Sequence, residues 1–357
     1  MGDGARLATF AVLNDVADAL REHRSLTRDC ARAVMDELLS GRASADDVAA
    51  VLLGLRDKGV DAIELTGLLD GVRAAAVQVE LPSDVAQRAI DIVGTGGDHS
   101  NSVNVSTMAS FVVAGAGVPV CKHGNRAATS KCGTADVLEA LGARIELSAR
   151  AVVECVQCSG VGFCFAPAFH PAFRHVGPVR RSLGVPTVFN VLGPLANPAN
   201  VAYMLVGVAD PAVRANMAEA LVARGVAAAW LVHGAGGMDE LSLAGVNSIV
   251  AVGHDAAGDE SSCDPVALGF APAPTSELRG GDPAHNAAIV RRVFAGEVGE
   301  LRAIRDTVVL NAAAALRVAG VQASWPDAIA AARESIDGGA AAQRLASFIA
   351  TSNTLAT

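Results

Sequence analysis

The sequence has no excess of positive charge. Its 28 lysine and arginine residues are outnumbered by 37 aspartate and glutamate residues, which gives a formal net charge of −9 at pH 7. General nucleic-acid binders and proteins of anionic membrane surfaces carry basic patches. We therefore expect neither nucleic acid nor a membrane among the partners of this chain.

Long apolar runs are also missing, although 51% of the residues are hydrophobic. Charged residues or glycines interrupt every apolar stretch before it reaches the length of a membrane span. The first residues lack the basic segment and apolar core of an export signal. These features predict a globular, cytoplasmic protein.

The seven cysteines form no disulfide or metal-binding pattern. An odd count in a long chain is typical of a reducing compartment. Cys155 and Cys158 have C-x-x-C spacing, but the absence of a second pair and of histidines at ligand spacing argues against zinc. A redox pair remains an alternative, and we expect buried, inert thiols on a helix.

The N-terminal part of the chain has the pattern of a small helical bundle. Thr27 is placed to cap a helix that Gly41 ends, Ser44 caps a second one, and Asp61 with Glu64 forms a capping box for a third. A further helix is predicted from apolar residues that share one face: Phe10, Leu13, Val16 and Leu20.

From Ala89 onward, short apolar runs alternate with helical segments, which is the signature of an α/β domain. Pro82-Ser83-Asp84 marks the transition, so we predict a helical domain over residues 1–84 and an α/β domain over residues 85–357. The predicted strands are Ala89–Val93, Val118–Cys121, Arg144–Leu147 and Val226–His233. Helices are predicted to begin at the Asp-Pro pairs 210–211 and 282–283, and the last three are expected near 283–295, 298–318 and 326–352, with a break at Gly338-Gly339.

Residues 91–107 contain a glycine-rich loop between a predicted strand and a predicted helix. The strand runs into Gly94-Thr95-Gly96-Gly97-Asp98, and Asn104, Ser106 and Thr107 precede the next apolar stretch. Glycines permit turns with positive φ and leave N–H groups exposed, and a helix N-terminus adds donors and partial positive charge. This combination favours an anion, most often phosphate. A tight turn that binds nothing explains a lone glycine-rich loop equally well.

Two basic clusters follow. Lys122-His123-Gly124-Asn125-Arg126 comes directly after the second predicted strand, and α/β folds bind ligands at the carboxyl ends of strands. Arg180 and Arg181 lie in an apolar context, where a planar guanidinium would match a carboxylate. The alternatives are a solvated basic turn for the first cluster and an ion pair to the helical domain for the second.

Asp239 and Glu240 form an adjacent acidic pair after the strand predicted to end at His233. Mg²⁺ prefers one or two carboxylates together with substrate phosphates and water. A solvated acidic turn is the simpler explanation of the pair alone. Combined with the glycine-rich loop and the basic clusters, the pair indicates a Mg²⁺-assisted enzyme that acts on phosphate or pyrophosphate.

Four blocks, in this order, resemble the anthranilate phosphoribosyltransferases. They are Gly94–Asp98 with Asn104–Thr107, Lys122–Arg126, the stretch from His170-Pro171 through Arg180-Arg181 to Asn190–Leu195, and Met238-Asp239-Glu240. The N-terminal helices and the segment from Arg305 to Ala313 fit as well, so the resemblance covers nearly the whole chain. Each block alone is weakly specific, whereas the ordered set is highly specific.

The resemblance implies an α/β fold of the nucleoside phosphorylase and phosphoribosyltransferase type. A small N-terminal helical domain, with a returning helical segment near residues 176–198, would join a larger α/β domain with a central, mostly parallel sheet. The family forms dimers through the helical part. Its Mg²⁺-dependent reaction, in tryptophan biosynthesis, is attack of the anthranilate amine on C1 of phosphoribosyl pyrophosphate (PRPP), with release of pyrophosphate.

The resemblance also implies roles for individual residues. PRPP would be held by Gly94, Gly96, Gly97, Asp98, Asn104, Ser106, Thr107, Lys122 and Cys132. Mg²⁺ would be bound by Ser106, Asp239 and Glu240. The anthranilate path would be lined by Asn125, Pro167, His170, Phe173, Arg180 and Gly193, with Arg180 facing the carboxylate. The catalytic group would comprise His123, Asn125 and Arg180.

Positioning should dominate this chemistry. Pyrophosphate leaves readily once its charge is neutralised, and a neutral aryl amine is already nucleophilic. No general base is assigned, and His123 is the best candidate if the reaction uses one.

Three positions depart from the pattern of the family. His99 stands where glycine usually follows Gly-Gly-Asp, Cys132 stands where serine is usual, and Phe173 stands where tyrosine is frequent. A thiol is a poorer hydrogen-bond donor than a hydroxyl. These changes leave the fold intact and open the acceptor to question.

Three alternative functions follow. The closest is a phosphoribosyltransferase that uses another aromatic amine or acid in a specialised pathway. A pyrimidine nucleoside phosphorylase shares the architecture, but Lys122–Arg126 argues against it. A nucleic-acid-binding relative would need a basic groove, which a pI of about 5.4 disfavours.

Overall fold

The computed structural model describes residues 6–9, 11–127, 130–253 and 261–355. Within these ranges an N-terminal helical bundle precedes a seven-stranded sheet with helices packed around it, which confirms the predicted fold class. The first four helices are α1 (Leu13–Arg21), α2 (Arg28–Ser40), α3 (Ala45–Lys58) and α4 (Ala62–Ala74).

The ends of these helices follow from their capping residues. Thr27 accepts from the backbone of α2, Ser44 accepts from that of α3, and Asp61 forms a capping box with Glu64 at the start of α4. Gly41 ends α2 in the left-handed conformation, with φ 78°. The predicted caps are therefore confirmed. Of the predicted apolar face of α1, Leu13, Val16 and Leu20 are buried, whereas Phe10 lies outside the described residues.

The sheet has the strand order β3-β2-β1-β4-β5-β6-β7. The first five of these strands pair in parallel. Strand β6 is antiparallel to β5, and β7 is antiparallel to β6, so the sheet is mostly parallel as predicted. Its strands are β1 (Ile90–Gly94), β2 (Val120–Gly124), β3 (Val161–Phe165), β4 (Tyr203–Gly207), β5 (Ala228–His233), β6 (Asn247–Gly253) and β7 (Ser262–Cys263). Three of them, β1, β2 and β5, match predicted strands.

Twelve further helices lie in the described ranges of the α/β part. They are α5 (Ser83–Ala86), α6 (Val105–Gly115), α7 (Thr134–Leu141), α8 (Ala149–Ser159), α9 (Ala166–Phe169), α10 (Gly177–Leu183), α11 (Phe189–Leu195), α12 (Arg214–Arg224), α13 (Pro283–Phe294), α14 (Arg302–Val318), α15 (Trp325–Asp337) and α16 (Ala340–Thr354). The break between α15 and α16 falls at Gly338-Gly339, as predicted. The Asp210-Pro211 pair opens a 3₁₀ turn, Pro211–Val213, before α12 begins.

Packing places the parts around one core. Helix α6 is apolar on most sides and packs against α14 and α16 as well as against β1. Helix α12 lies between β6 and the bundle helix α4, while α10 contacts α3 and α11 contacts α4. Helices α10, α11 and α12, which come more than a hundred residues after the bundle in the chain, are thereby held beside it.

The predicted strand Arg144–Leu147 is wrong. Its residues do alternate, with Ile145 and Leu147 buried and Arg144 and Glu146 exposed, which explains the expectation. The segment pairs with no strand among the described residues. Instead, the backbone N–H of Arg144 donates to Ser352 Oγ of α16 at 3.1 Å, so a helix takes the place of a neighbouring strand.

All seven cysteines are free thiols. Cys155 lies buried on α8, and burial raises its pKa to about 12, which confirms an inert thiol there. The expectation is wrong for Cys158, which is exposed in the last turn of the same helix. None of the described helices combines the length and the apolar character that a membrane crossing requires.

Candidate active site

A cavity of about 390 Å³ lies where β1 and β2 end. This volume is in the usual range for a small-molecule site. Fifteen of the eighteen residues predicted for the site line it: Gly94, Gly96, Gly97, Asp98, Asn104, Ser106, Lys122, His123, Asn125, Cys132, Phe173, Arg180, Gly193, Asp239 and Glu240. Thr107, Pro167 and His170 are not among the lining residues.

The acidic pair meets the glycine-rich loop. The N–H of Gly96 donates to Asp239 Oδ2 at 2.7 Å, and the N–H of Ser106, in the first turn of α6, donates to Glu240 Oε1 at 3.0 Å. Two of the N–H groups that we predicted to bind an anion therefore donate to carboxylates of the protein instead. Gly94, Gly97 and Asp98 of the same loop also line the cavity.

Glycines at two strand ends make this approach possible. A Cβ at Gly94 would lie 2.3 Å from Asp239 Oδ2, and one at Gly207, the last residue of β4, would lie 1.5 Å from the Asp239 carbonyl oxygen. Both distances are too short for non-bonded atoms. The glycines are required because the acidic segment crosses directly over the ends of β1 and β4.

The carboxyl groups of Asp98, Asp239 and Glu240 lie close together, and those of Asp239 and Glu240 are largely buried. Burial and the neighbouring carboxyl groups raise the pKa of Asp239 and of Glu240. Glu240 Oε2 and Asp98 Oδ2 are inaccessible to solvent and have no hydrogen-bond partner. Buried carboxylate oxygens without donors fit a hard cation, because such a cation takes oxygen ligands.

The same carboxylates do not form a complete metal site. Among the described residues, no group of three or more histidine, cysteine or carboxylate side chains could hold an ion by itself. Mg²⁺ commonly takes one or two carboxylates and completes its shell with water and substrate phosphate. The donor set Asp239, Glu240 and the Ser106 hydroxyl therefore fits Mg²⁺ that arrives with a phosphorylated substrate.

Lys122 supplies a buried positive charge beside this pair. Its ammonium donates to the Ile92 carbonyl oxygen and to Ser106 Oγ, the latter at 3.3 Å. Burial lowers the pKa of Lys122, and the nearby Asp91 and Glu240 oppose that shift. The cation is thus fixed at the start of α6, where an anionic substrate would lie against it.

Residues that the sequence did not indicate hold the second strand end in place. Asp91 is fully buried; it accepts from the His123 N–H at 3.2 Å and from Asn197 Nδ2 at 2.8 Å. Asn197 also donates to the Cys121 carbonyl oxygen at 2.8 Å. Asp91 and Asn197 do not line the cavity, and no motif in the sequence pointed to their role.

His123 is held as a neutral ring. Burial, followed by the neighbouring His170, lowers its pKa well below the usual value. Its Nδ1 lies 3.1 Å from the Gly193 carbonyl oxygen, whereas Nε2 is buried without a partner. The rings of His123 and His170 are 5.0 Å apart, and burial lowers the pKa of His170 to about 4. Both histidines are therefore uncharged at neutral pH.

An aromatic wall forms the other part of the cavity. His170 stacks on Phe173 at 5.0 Å, and Phe173 meets Phe189 edge to face at 5.1 Å. The Arg180 guanidinium lies 4.8 Å from the centre of the Phe189 ring, and burial lowers its pKa. The side chain of Arg180 has no ion-pair or hydrogen-bond partner among the residues described here, so its donors remain available. Phe189 was not predicted, although it adjoins the Asn190–Leu195 block.

Cys132 occupies a structural position at the rim. Its thiol lies 3.5 Å from Asn104 Oδ1, and Asn104 Nδ2 donates to the Cys132 carbonyl oxygen at 3.1 Å. Asn286 also donates to Asn104 Oδ1, at 3.0 Å. Burial raises the pKa of the Cys132 thiol to about 11, so it stays protonated. The thiol helps to orient Asn104, and Asn286 is a further residue that the sequence did not indicate.

Family comparisons cover both parts of the chain. The model described as "Glycosyl transferase family, a/b domain" matches residues 86–342, and the one described as "Glycosyl transferase family, helical bundle domain" matches residues 14–76. Among curated proteins, the anthranilate phosphoribosyltransferase of Roseiflexus sp. (strain RS-1) is 45% identical over 343 residues, which cover 96% of this chain and 98% of that protein. The anthranilate phosphoribosyltransferase of Thermomicrobium roseum is 47% identical over 330 residues, covering 92% and 93%.

Solved structures show the same similarity. The anthranilate phosphoribosyltransferase of Thermus thermophilus superposes with a TM-score of 0.87 at 39% identity, covering 95% of this chain and 99% of that one. The enzyme of Saccharomyces cerevisiae in complex with PRPP and Mg superposes with a TM-score of 0.88 at 28% identity, covering 97% and 99%.

Proposed function

The chain belongs to the anthranilate phosphoribosyltransferase family, and we propose that it transfers the phosphoribosyl group of PRPP to the amine of anthranilate, with release of pyrophosphate. The single observation that carries this proposal is the meeting of the acidic pair with the glycine-rich loop. The contacts of Gly96 with Asp239 and of Ser106 with Glu240 place carboxylates and N–H donors in one cavity.

The residues at the acidic end would hold PRPP. Asp239, Glu240 and the Ser106 hydroxyl would hold Mg²⁺, which when bound would neutralise charge on the leaving pyrophosphate. The Lys122 ammonium and the free N–H groups of the loop bind phosphate oxygens. Asp98 and the side chain of Asn104 complete this end. Thr107 is buried behind it, and its hydroxyl donates to the Thr134 hydroxyl at 3.2 Å, which links α6 to α7.

The residues at the aromatic end would hold anthranilate. Arg180 offers a guanidinium fork to the carboxylate, and Phe173 with Gly193 faces the ring. Asn125 is exposed at the rim and offers an amide to the acceptor. Pro167 and His170 lie outside the lining, and His170 supports this wall through its contact with Phe173.

The arrangement makes positioning the main source of rate. A neutral aryl amine needs no deprotonation before it attacks, so the chain has only to align the amine with C1 of PRPP. After attack, the nitrogen that is bonded to C1 is cationic, and its N–H proton is strongly acidic. The neutral His123 Nε2, buried and unpartnered, could accept it despite its lowered pKa.

The finer features of the family follow as part of the same proposal. The reaction belongs to tryptophan biosynthesis, and we place the enzyme in the cytoplasm. The sulfurs of Cys121 and Cys164 are 3.7 Å apart, and a reducing compartment would keep both thiols reduced. We divide the chain into a helical domain, 1–84, and an α/β domain, 85–357; α10 and α11 return to the bundle near residues 176–198. Dimerisation through the bundle should give twice the chain mass in light scattering.

A direct assay tests the function. Purified protein is mixed with PRPP, MgCl₂ and anthranilate, and the loss of anthranilate fluorescence is followed. Turnover that stops when EDTA is added is the expected result. Measurable PRPP binding in calorimetry without anthranilate turnover would point instead to another aromatic amine or acid as acceptor, and loss of PRPP binding would overturn the proposal.

A further inference from the structure

We propose that His99 is a further substrate-binding residue, whose imidazole donates to a phosphate oxygen of PRPP at the mouth of the cavity. This inference rests on the proposed function, because it concerns the same substrate. Within residues 94–107, His99 is the one side chain with a basic ring.

The backbone holds His99 in an unusual conformation. Its φ is 57°, in the left-handed region that side chains other than glycine rarely adopt. Hydrogen bonds fix this part of the loop: Asp98 Oδ1 accepts from the Ser100 N–H at 3.1 Å, and the Asn101 carbonyl oxygen accepts from the Gly280 N–H at 2.8 Å. Costly conformations that the surroundings enforce are concentrated at ligand sites.

The imidazole is available to a ligand. His99 is exposed and lines the cavity, and its ring has no hydrogen-bond or ion-pair partner in the described part of the chain. The loop therefore holds the ring at the rim without using it in a contact within the protein. An imidazole with a free N–H can donate to a phosphate oxygen in either tautomer.

The other cations of the cavity lie deeper in it, are ion-paired, or lie at its aromatic end. Lys122 is buried and donates to Ile92 and Ser106. Arg126 is bound by Asp136 and Glu139. Arg180 lies at the aromatic end, stacked on Phe189. His99 is therefore the basic group at the carboxylate end of the cavity whose side chain has no partner among the residues that the structure describes. A polyphosphate that binds over the carboxylates would contact its ring.

The test measures the KM for PRPP at saturating anthranilate and Mg²⁺. His99→Gly removes the ring and relieves the left-handed backbone, so the KM should rise about fivefold, in line with the loss of one solvent-exposed bond to a charged group. The kcat should stay within about twofold and the melting temperature should not fall. His99→Arg restores a donor and should return the KM toward the wild-type value.

His23→Gly is the matched control. His23 is also an exposed histidine in the left-handed region, with φ 56°, but it lies between α1 and α2, away from the cavity. This variant should show the same change in melting temperature as His99→Gly and a wild-type KM for PRPP.

The outcomes separate this inference from the proposed function. Wild-type turnover together with an unchanged KM in His99→Gly would overturn the role of His99 and leave the function standing. A raised KM accompanied by a lower melting temperature, and not restored by arginine, would show a structural role and also overturn it. Failure of the wild-type protein to bind PRPP in calorimetry would remove both.

Discussion

At the scale of single residues, Arg180 is the residue to which we assign recognition of the acceptor carboxylate. Its guanidinium stacks on Phe189 and has no carboxylate partner among the described residues. Stacking leaves the in-plane donors free for a carboxylate, which a guanidinium binds through two parallel hydrogen bonds. We infer that Phe189 orients the arginine and that the substrate supplies the missing anion.

Replacement of Arg180 should therefore affect one substrate only. Arg180→Ala should raise the KM for anthranilate at least about tenfold, since hydrogen bonds to charged groups are worth about 1.5–3 kcal/mol, and change the KM for PRPP less than about twofold. Steady-state kinetics with each substrate varied will show this. Arg181→Ala is the control, because Arg181 is exposed and does not line the cavity. Equal losses for both substrates would contradict the assignment to the carboxylate.

The acidic pair provides a second test at this scale. Asp239→Asn combined with Glu240→Gln keeps the shape of both side chains and removes their charge, so Mg²⁺-dependent turnover should be abolished. The measurement is turnover over a range of MgCl₂ concentrations, with circular dichroism to show that the variant is folded. Wild-type activity in this variant would remove the metal site from these residues.

His170 should give stability a pH dependence. Its pKa is lowered to about 4 by burial, so the folded protein holds it neutral while the unfolded chain takes up a proton near pH 6.5. The free energy of unfolding therefore gains no pH dependence from His170 above pH 6.5 and decreases as the pH falls from 6.5 toward 4. Between pH 7.5 and pH 5 this amounts to about 2 kcal/mol.

Urea unfolding at these two pH values measures the effect. His170→Phe keeps a ring against Phe173 and removes the titrating group. The wild-type protein should lose about 2 kcal/mol more free energy of unfolding than the variant on going from pH 7.5 to pH 5. Identical pH dependence in both proteins would rule out a buried neutral His170.

At the scale of elements, one buried ion pair joins α3 and α4 and also reaches the segment that precedes α2. Lys58, at the end of α3, contacts Glu64 of α4 at 2.7 Å, and both side chains are almost fully buried. Glu64 also accepts from the N–H of Leu26, just before α2, at 2.8 Å. The capping box of α4 is therefore also the polar centre of the bundle.

Removal of one partner should be costly. Lys58→Met leaves Glu64 buried and unpaired and should lower the free energy of unfolding by about 3 kcal/mol, whereas the double variant Lys58→Met/Glu64→Gln should recover part of that loss. Arg28→Met breaks the exposed pair with Asp70 and should cost less than about 1 kcal/mol. Denaturant unfolding of the four proteins decides the point; equal costs for the two single variants would be inconsistent with a buried pair.

Elements with explicit end signals could be predicted from the sequence. Thr27, Ser44 and Asp61 fixed helix starts because a capping side chain acts locally. Strand β4 was not predicted, because a short apolar run has no periodicity that separates a buried strand from a helix. Arg144–Leu147 failed for the opposite reason: its alternation is real, but whether an extended segment finds a strand as neighbour is decided by distant parts of the chain.

At the scale of the whole molecule, the site is assembled from segments that are far apart in sequence. The loop after β1, the end of β2, helices α10 and α11 and the acidic pair after β5 meet in one cavity. The sequence could predict these segments because each carries its own chemistry. It could not predict Asp91, Asn197 or Phe189, because buried supports and stacking partners look like ordinary core residues until the fold brings them under a functional group.

The two glycines at the ends of β1 and β4 have a consequence for protein engineering. Because any side chain at Gly94 or Gly207 would overlap Asp239, randomising those positions would yield mostly inactive clones. Phe173 and Phe189, by contrast, sit on separate short helical segments at the opposite end of the cavity. A library intended to change the specificity of the enzyme toward new aromatic acceptors should therefore diversify these two phenylalanines and leave both strand ends unchanged.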